Sequence, residues 1–189
     1  MATSDSAAHG IVMRALPEIE LIADRRLRAA VRDIWAKAWM SSTWPELDDC
    51  PKGRDLPGHS LVTHSRTVAR LALGMRDVLV AQNGVTIDRD EVLAIALLHD
   101  VSKLHEFERA GDTVRSSELG RKTQHGFYAA FWMQEAGLPL DMVHAVIAHT
   151  NLSSTVPQTQ AAVLVHYADF ADSDSLLMEA GLPLFCKRR

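Results

Sequence analysis

Six residues set the chemical question in this chain: His64, the adjacent pair His99-Asp100, His125, His149 and Asp169. Imidazole and carboxylate are the donor types of transition-metal sites. Each of these six stands where a helical apolar pattern would turn it inward. The pair closes the apolar run LAIALL, and an ionised carboxylate buried there is costly unless a cation compensates it. Neighbours on a helix point about 100° apart, so His99 and Asp100 can both reach one ion held against it. Lys103, one turn after His99, is placed to meet an anion bound at the metal. A plainer reading makes Asp100 a helix cap and His99 a hydrogen-bonded core residue, and on the dipeptide alone the two stand level.

The other four residues move that balance. His64 lies on the apolar stripe of LVTHSRTVARLAL, His125 opens KTQHGFYAAF, His149 ends the stripe of Met142, Ala145 and Val146, and Asp169 shares a face with Ala162 and Val165. Each alone fits a satisfied core residue. Six metal-competent side chains on five successive helical segments fit one shared cavity, as helical bundles build them. They exceed the four donors of a tetrahedral zinc and suit two ions with a bridging carboxylate. The ions are expected to be divalent transition metals; Fe, Mn, Zn, Co and Ni are not separated by donor type.

The elements that position these residues read as all-α. Residues 1–16 look like a flexible tail, and 17–189 like a single helical domain with its motif region at 58–172. An amphipathic helix is expected from Pro17 to about Trp39, with Trp35, Trp39 and Trp44 as packing residues. Turn-rich residues 41–58 form a loop, and a helix follows from about Gly58 to Val80. Asp88 with Glu91 has the spacing of a capping box and opens a central helix through EVLAIALLHDVSKL. Residues 105–120 make a polar connection without a strand pattern. Helices are expected at 121–136, 139–150 and 158–172, with a short one from 174. Leu56-Pro57, Leu138-Pro139 and Leu182-Pro183 separate helices rather than domains.

Composition narrows the function classes. The chain has 189 residues, 47% of them hydrophobic, with no run of roughly 18 apolar residues to span a membrane. Its start lacks the order of a signal peptide. Cys50 and Cys186 are in no metal-binding spacing and read as two reduced thiols. The expected location is the cytoplasm. A net charge of −4 argues against nucleic acid as partner but not against a small phosphorylated substrate. A homo-oligomer is left open. Arg121 and Lys122 are candidate phosphate binders, though a solvated basic pair is the simpler reading. His59 competes with His64 for its role; His105, His144 and His166 read as surface or supporting groups, and Glu106 to Asp112 as an exposed connection.

The order His64, His99-Asp100, His125, His149, Asp169, in the contexts HSRTVA, LLHDVSK, IAHT and YADFAD, resembles the HD superfamily of metal-dependent phosphohydrolases over roughly residues 58–172. The resemblance implies an all-helical bundle. It also implies a first ion on His64, His99, Asp100 and Asp169, and a second on His125 and His149 bridged by Asp100. Ser102 stands where the family often has glycine, a small-for-small change. The stretch from LLHDVSK to VHYADFAD is also similar to HD domains of certain exoribonucleases. Those carry an OB-type nucleic-acid module that is not seen here, which favours a nucleotide or other small phosphoester. The implied activity is hydrolysis of a phosphate ester by metal-activated water, with Asp100 and Lys103 as catalytic residues and Lys103, Arg121 and Lys122 at the substrate. Two alternatives share the ligand set: an HD-fold di-iron oxygenase acting on a small substrate, and a nucleotide-sensing binding module.

Overall fold

The helix at Arg89–Leu98 (α4) occupies the centre because, past its charged first turn, it is apolar on every side: Val92 through Leu98 are all buried. Burial contributes about 1.5–3 kcal/mol for each large side chain in that run. Asp88 starts it, accepting a hydrogen bond from the Glu91 amide at 2.9 Å, so the expected cap is in place. Residues 5–56 and 58–187 are described by a computed structural model. Pro57 of the first Leu-Pro break, residues 1–4 of the expected tail and residues 188–189 lie outside the described residues.

Around α4 the chain packs Arg25–Met40 (α2), Leu61–Asn83 (α3), Leu140–Ala148 (α8) and Gln160–Glu179 (α9). Trp35 of α2 is fully buried and donates its indole N–H to the Leu97 carbonyl of α4 at 2.8 Å. Trp39 and Trp44 are buried too. Among the described residues the fold is all-helical apart from one antiparallel hairpin, Phe107–Ala110 (β1) with Thr113–Ser116 (β2). That hairpin is a correction to the strandless connection expected over 105–120. Its alternation of half-buried and exposed residues spans only four positions per strand, too few to stand out as a pattern.

Three further boundaries differ from expectation. Residues 5–16 are not a loose tail: Asp5–Ala15 form a helix (α1) whose Ala8 and Val12, with Leu16, are buried against the core. Ile11, Met13 and Ala15, half-buried against the same core, help to dock it. The expected helix from Pro17 divides into a 3₁₀ turn at Pro17–Leu21 and α2, which Asp24 caps by accepting from the Leu27 amide. Near the C-terminus the two expected helices are one, α9, running unbroken through Asp172-Ser173-Asp174.

Candidate metal centre

The central helix ends one residue before the pair that matters. After Leu98 the hydrogen-bond ladder tightens, with the Val101 amide bonding to Leu98 and the Lys103 amide to Asp100. His99 and Asp100 therefore sit on a turn leading into a short helix at Lys103–Glu106 (α5), and not inside a longer helix. His125 likewise lies outside helix, between Glu118–Lys122 (α6) and Phe127–Glu135 (α7). Gly126 makes that junction with φ +83°, a left-handed conformation that a side chain would strain. His149 follows directly on α8, while His64 sits in α3 and Asp169 in α9, on their buried faces.

All six residues converge in two groups that share Asp100. Donor atoms of His64, His99, Asp100 and Asp169 lie within 4.8 Å of one another, and so do those of Asp100, His125 and His149. In the first group His64 Nε2 stands 3.1 Å from Asp100 Oδ2 and 3.2 Å from Asp169 Oδ1. In the second, His125 Nε2 is 3.0 Å and His149 Nε2 3.6 Å from Asp100 Oδ1. The two oxygens of one carboxylate thus face two different sets of imidazoles.

The ring tautomers follow from what the outer nitrogens touch. His64 Nδ1 meets Asp172 Oδ2 at 2.6 Å, and His125 Nδ1 meets Glu106 Oε2 at 2.7 Å. His99 Nδ1 meets the Ala96 carbonyl at 2.7 Å, and His149 Nδ1 the Val146 carbonyl at 2.6 Å. Carbonyls and ionised carboxylates only accept, so all four Nδ1 atoms carry protons, and a neutral ring then aims a lone pair from Nε2. Those Nε2 atoms face each other in pairs, His64 to His99 at 3.2 Å and His125 to His149 at 3.3 Å. Two lone pairs at that distance repel unless a proton or a cation lies between them. Asp100 Oδ1 adds a second sign: despite the nearby His125, this fully buried oxygen receives no aligned hydrogen bond.

Electrostatics agree with that reading. Burial works to lower the His64 and His125 imidazoles, but Asp100, with Asp169 and Asp172 at the one and Glu106 at the other, raises each to about 9. Burial, with His99 and His125 beside it, lowers His149 against the pull of Asp100. For Asp100, burial is outweighed by Lys103, His99 and the imidazoles at its oxygens, and its carboxyl is held well below the ordinary range. Asp169 is lowered too, burial being overcome by His64 and His99. The carboxylates thus hold positive charge on His64 and His125, a place that bound cations would take over. Nitrogen and carboxylate donors in this number fit first-row transition ions.

Lys103 Nζ is fixed 2.5 Å from Asp100 Oδ2 and 2.6 Å from the Lys52 carbonyl. Arg121 and Lys122 are elsewhere engaged, with the Ser116 carbonyl and with Glu118. Among the described residues no hydrogen bond or ion pair joins either to the cluster. His59 is exposed and outside both groups. His105 bonds the Ala38 carbonyl and stacks with Tyr128, so it fastens α5 to α2 and α7. His166 donates to the carbonyl of His149 at 2.6 Å. His144 is half-buried, with both ring nitrogens shielded from solvent and unpartnered. A groove of about 480 Å³ by Asp24, Asp88, Glu91 and Asp141 contains none of the six residues.

Three supporting residues escaped the sequence reading. Glu106 is buried rather than part of an exposed connection; it takes hydrogen bonds from His125, Ser102 and the Gly126 amide. Asp172 orients His64, and Lys52 is 3% exposed within a loop that reads as solvated. The signal available for Asp172 was its place three residues after Asp169, on the same side of one helix. Glu106 and Lys52 gave none, because their burial depends on contacts with distant segments.

The pattern that defines the HD domain family matches residues 61–174. Among curated proteins, a dihydroneopterin 2',3'-cyclic phosphate phosphodiesterase of Methanocaldococcus jannaschii is 34% identical over 114 residues, covering 60% of this chain and 46% of that protein. The chain thus spans about half the length of the curated relative it matches. No solved structure matches it.

Proposed function

The chain belongs to the HD domain family, and from that premise we propose that it is a metal-dependent phosphohydrolase acting on a small phosphate ester. The observation that carries this reading is the head-to-head pairing of Nε2 atoms around the two oxygens of Asp100. His64, His99, Asp100 and Asp169 would hold one ion, and Asp100, His125 and His149 a second. With four donors against three, the first position should fill more tightly. When bound, the ions supply Lewis acidity to the attacking water and to the phosphoryl oxygen.

The protein's own groups do the rest. Asp100 divides its oxygens between the two positions and holds them in register. Lys103 keeps its proton, since Asp100 and Asp169 raise its ammonium against the effect of burial. It therefore serves as a fixed positive charge beside the reacting phosphoryl group, where negative charge grows. Water adds across one P–O bond: its oxygen bonds to phosphorus, and one of its protons goes to the released alkoxide oxygen, which in a cyclic ester stays on the product as a free hydroxyl. Arg121 and Lys122 would reach the substrate only from the surface of α6, so we give them at most an outer part in its capture. The named substrate of the relative makes a 2',3'-cyclic phosphate the first ester to test, ahead of nucleotides. Among the described residues no helix is long and apolar enough to cross a membrane, and we assign the cytoplasm on the reading of Cys50 and Cys186 as reduced thiols.

The test is metal analysis of the purified protein with a panel of linear and 2',3'-cyclic phosphate esters, assayed with and without oxygen. Hydrolysis should be indifferent to oxygen, and Asp100→Ala should lose both metal and turnover. A variant that keeps its ions and full activity would overturn the proposal.

A further inference from the structure

Lys52 is a buried ammonium in a loop, outside the six residues, with both its side chain and its main chain committed. Its Nζ is 2.9 Å from Ser173 Oγ and 3.2 Å from Asp172 Oδ2, both on α9. The same Asp172 oxygen accepts from His64 Nδ1 at 2.6 Å. Its carbonyl takes a hydrogen bond from Lys103 Nζ, whose other partner is Asp100. The loop is tied down at its ends: the Lys52 amide bonds the His59 carbonyl, and the Leu61 amide bonds that of Cys50. A buried charge without such partners would be strongly unfavourable, so this residue is specified by its surroundings.

We propose that Lys52 is a positioning residue for the four-donor ion position, acting on His64 through Asp172 and on Lys103 through its own carbonyl. Its ammonium holds the Asp172 carboxylate at the angle that fixes the His64 ring, with Nδ1 protonated and Nε2 turned inward. Its carbonyl gives Lys103 a second anchor, so that the Lys103 ammonium is shared rather than collapsed wholly onto Asp100. The three-donor position has its own supporting carboxylate, Glu106, and meets Lys52 only indirectly, through Lys103 on the Asp100 oxygen that faces the other group. The proposal rests on the metal-site reading above.

Calorimetric titration with Mn²⁺ tests it on wild type, Lys52→Met, Asp172→Asn, the double variant and His64→Ala. Supporting carboxylates and their partners typically account for roughly 10- to 100-fold in metal affinity. Lys52→Met should weaken the tighter Mn²⁺ by that order, leave the weaker one within a few-fold, and add little in the Asp172→Asn background. Lys52→Arg should recover part of the loss. Wild-type affinity in Lys52→Met, equal weakening of both ions, or full additivity with Asp172→Asn would each overturn the proposal. If Lys52→Met does not fold, Lys52→Gln replaces it with the same expected loss. His64→Ala separates the two levels: it must lose the tighter ion, and unchanged binding there would overturn the metal site itself.

Discussion

At the scale of single residues, the centre depends on acceptors that fix rings as much as on the donors. His64 and His125 lean on carboxylates, whereas His99 and His149 lean on carbonyls three residues back in their own segments. The carbonyl pairs come free with helical geometry; the carboxylate pairs had to be supplied by Asp172 and Glu106. Glu106→Gln should therefore weaken the second ion by roughly 10- to 100-fold while sparing the first, which titration of the metal-free protein would show. That these six residues come together was legible because their types stand out on apolar stripes. Glu106 was not, since in sequence it belongs to a charged run, and only the return of the chain through Ser117 and Gly126 buries it.

At the scale of elements, four of the six residues sit at ends and junctions: His99 and Asp100 after α4, His149 after α8, and His125 between α6 and α7. The periodicity of LAIALL marks a helix, but it carries no sign that the ladder tightens at Val101. Asp88 was legible as a cap because capping is local chemistry. The hairpin was not, and neither was the docking of α1, whose apolar contacts are decided by the partner surface. One close approach holds the α5–α6 corner together: a methyl group at Gly120 would fall 2.2 Å from the Glu106 carbonyl oxygen. Gly120→Ala should push α6 off α5, cost about 1–3 kcal/mol as overpacking does, and loosen Glu106 from His125. A lowered unfolding midpoint together with a weaker second ion is the expected pair of readings.

At the scale of the whole molecule, the chain's outer shell is joined to the core by a buried acid. Glu18, in the turn after α1, is 3% exposed and is clasped by Arg66 and Arg70 of α3. Burial alone would raise its carboxyl, but a backbone hydrogen bond and the two guanidinium groups bring it below the ordinary value of 4.5. Its contribution to stability is then full above that pH and is lost as pH falls through the lower folded value. Thermal unfolding of wild type against Glu18→Gln should show a gap that closes on acidification; a gap constant from pH 6 to about 3 would contradict this. The proposed ion centre would set a broader dependence. Its donors come from segments as distant as His64 and Asp169, and the unfolded chain has no such constellation. An ion there acts as a cross-link that forms only once the chain has folded. Binding at 100 times the dissociation constant adds about 2.7 kcal/mol per ion, so the unfolding midpoint should climb with the logarithm of free metal and fall on chelation. The concentration of one trace element would then govern how long each folded copy survives, quite apart from how fast it turns over.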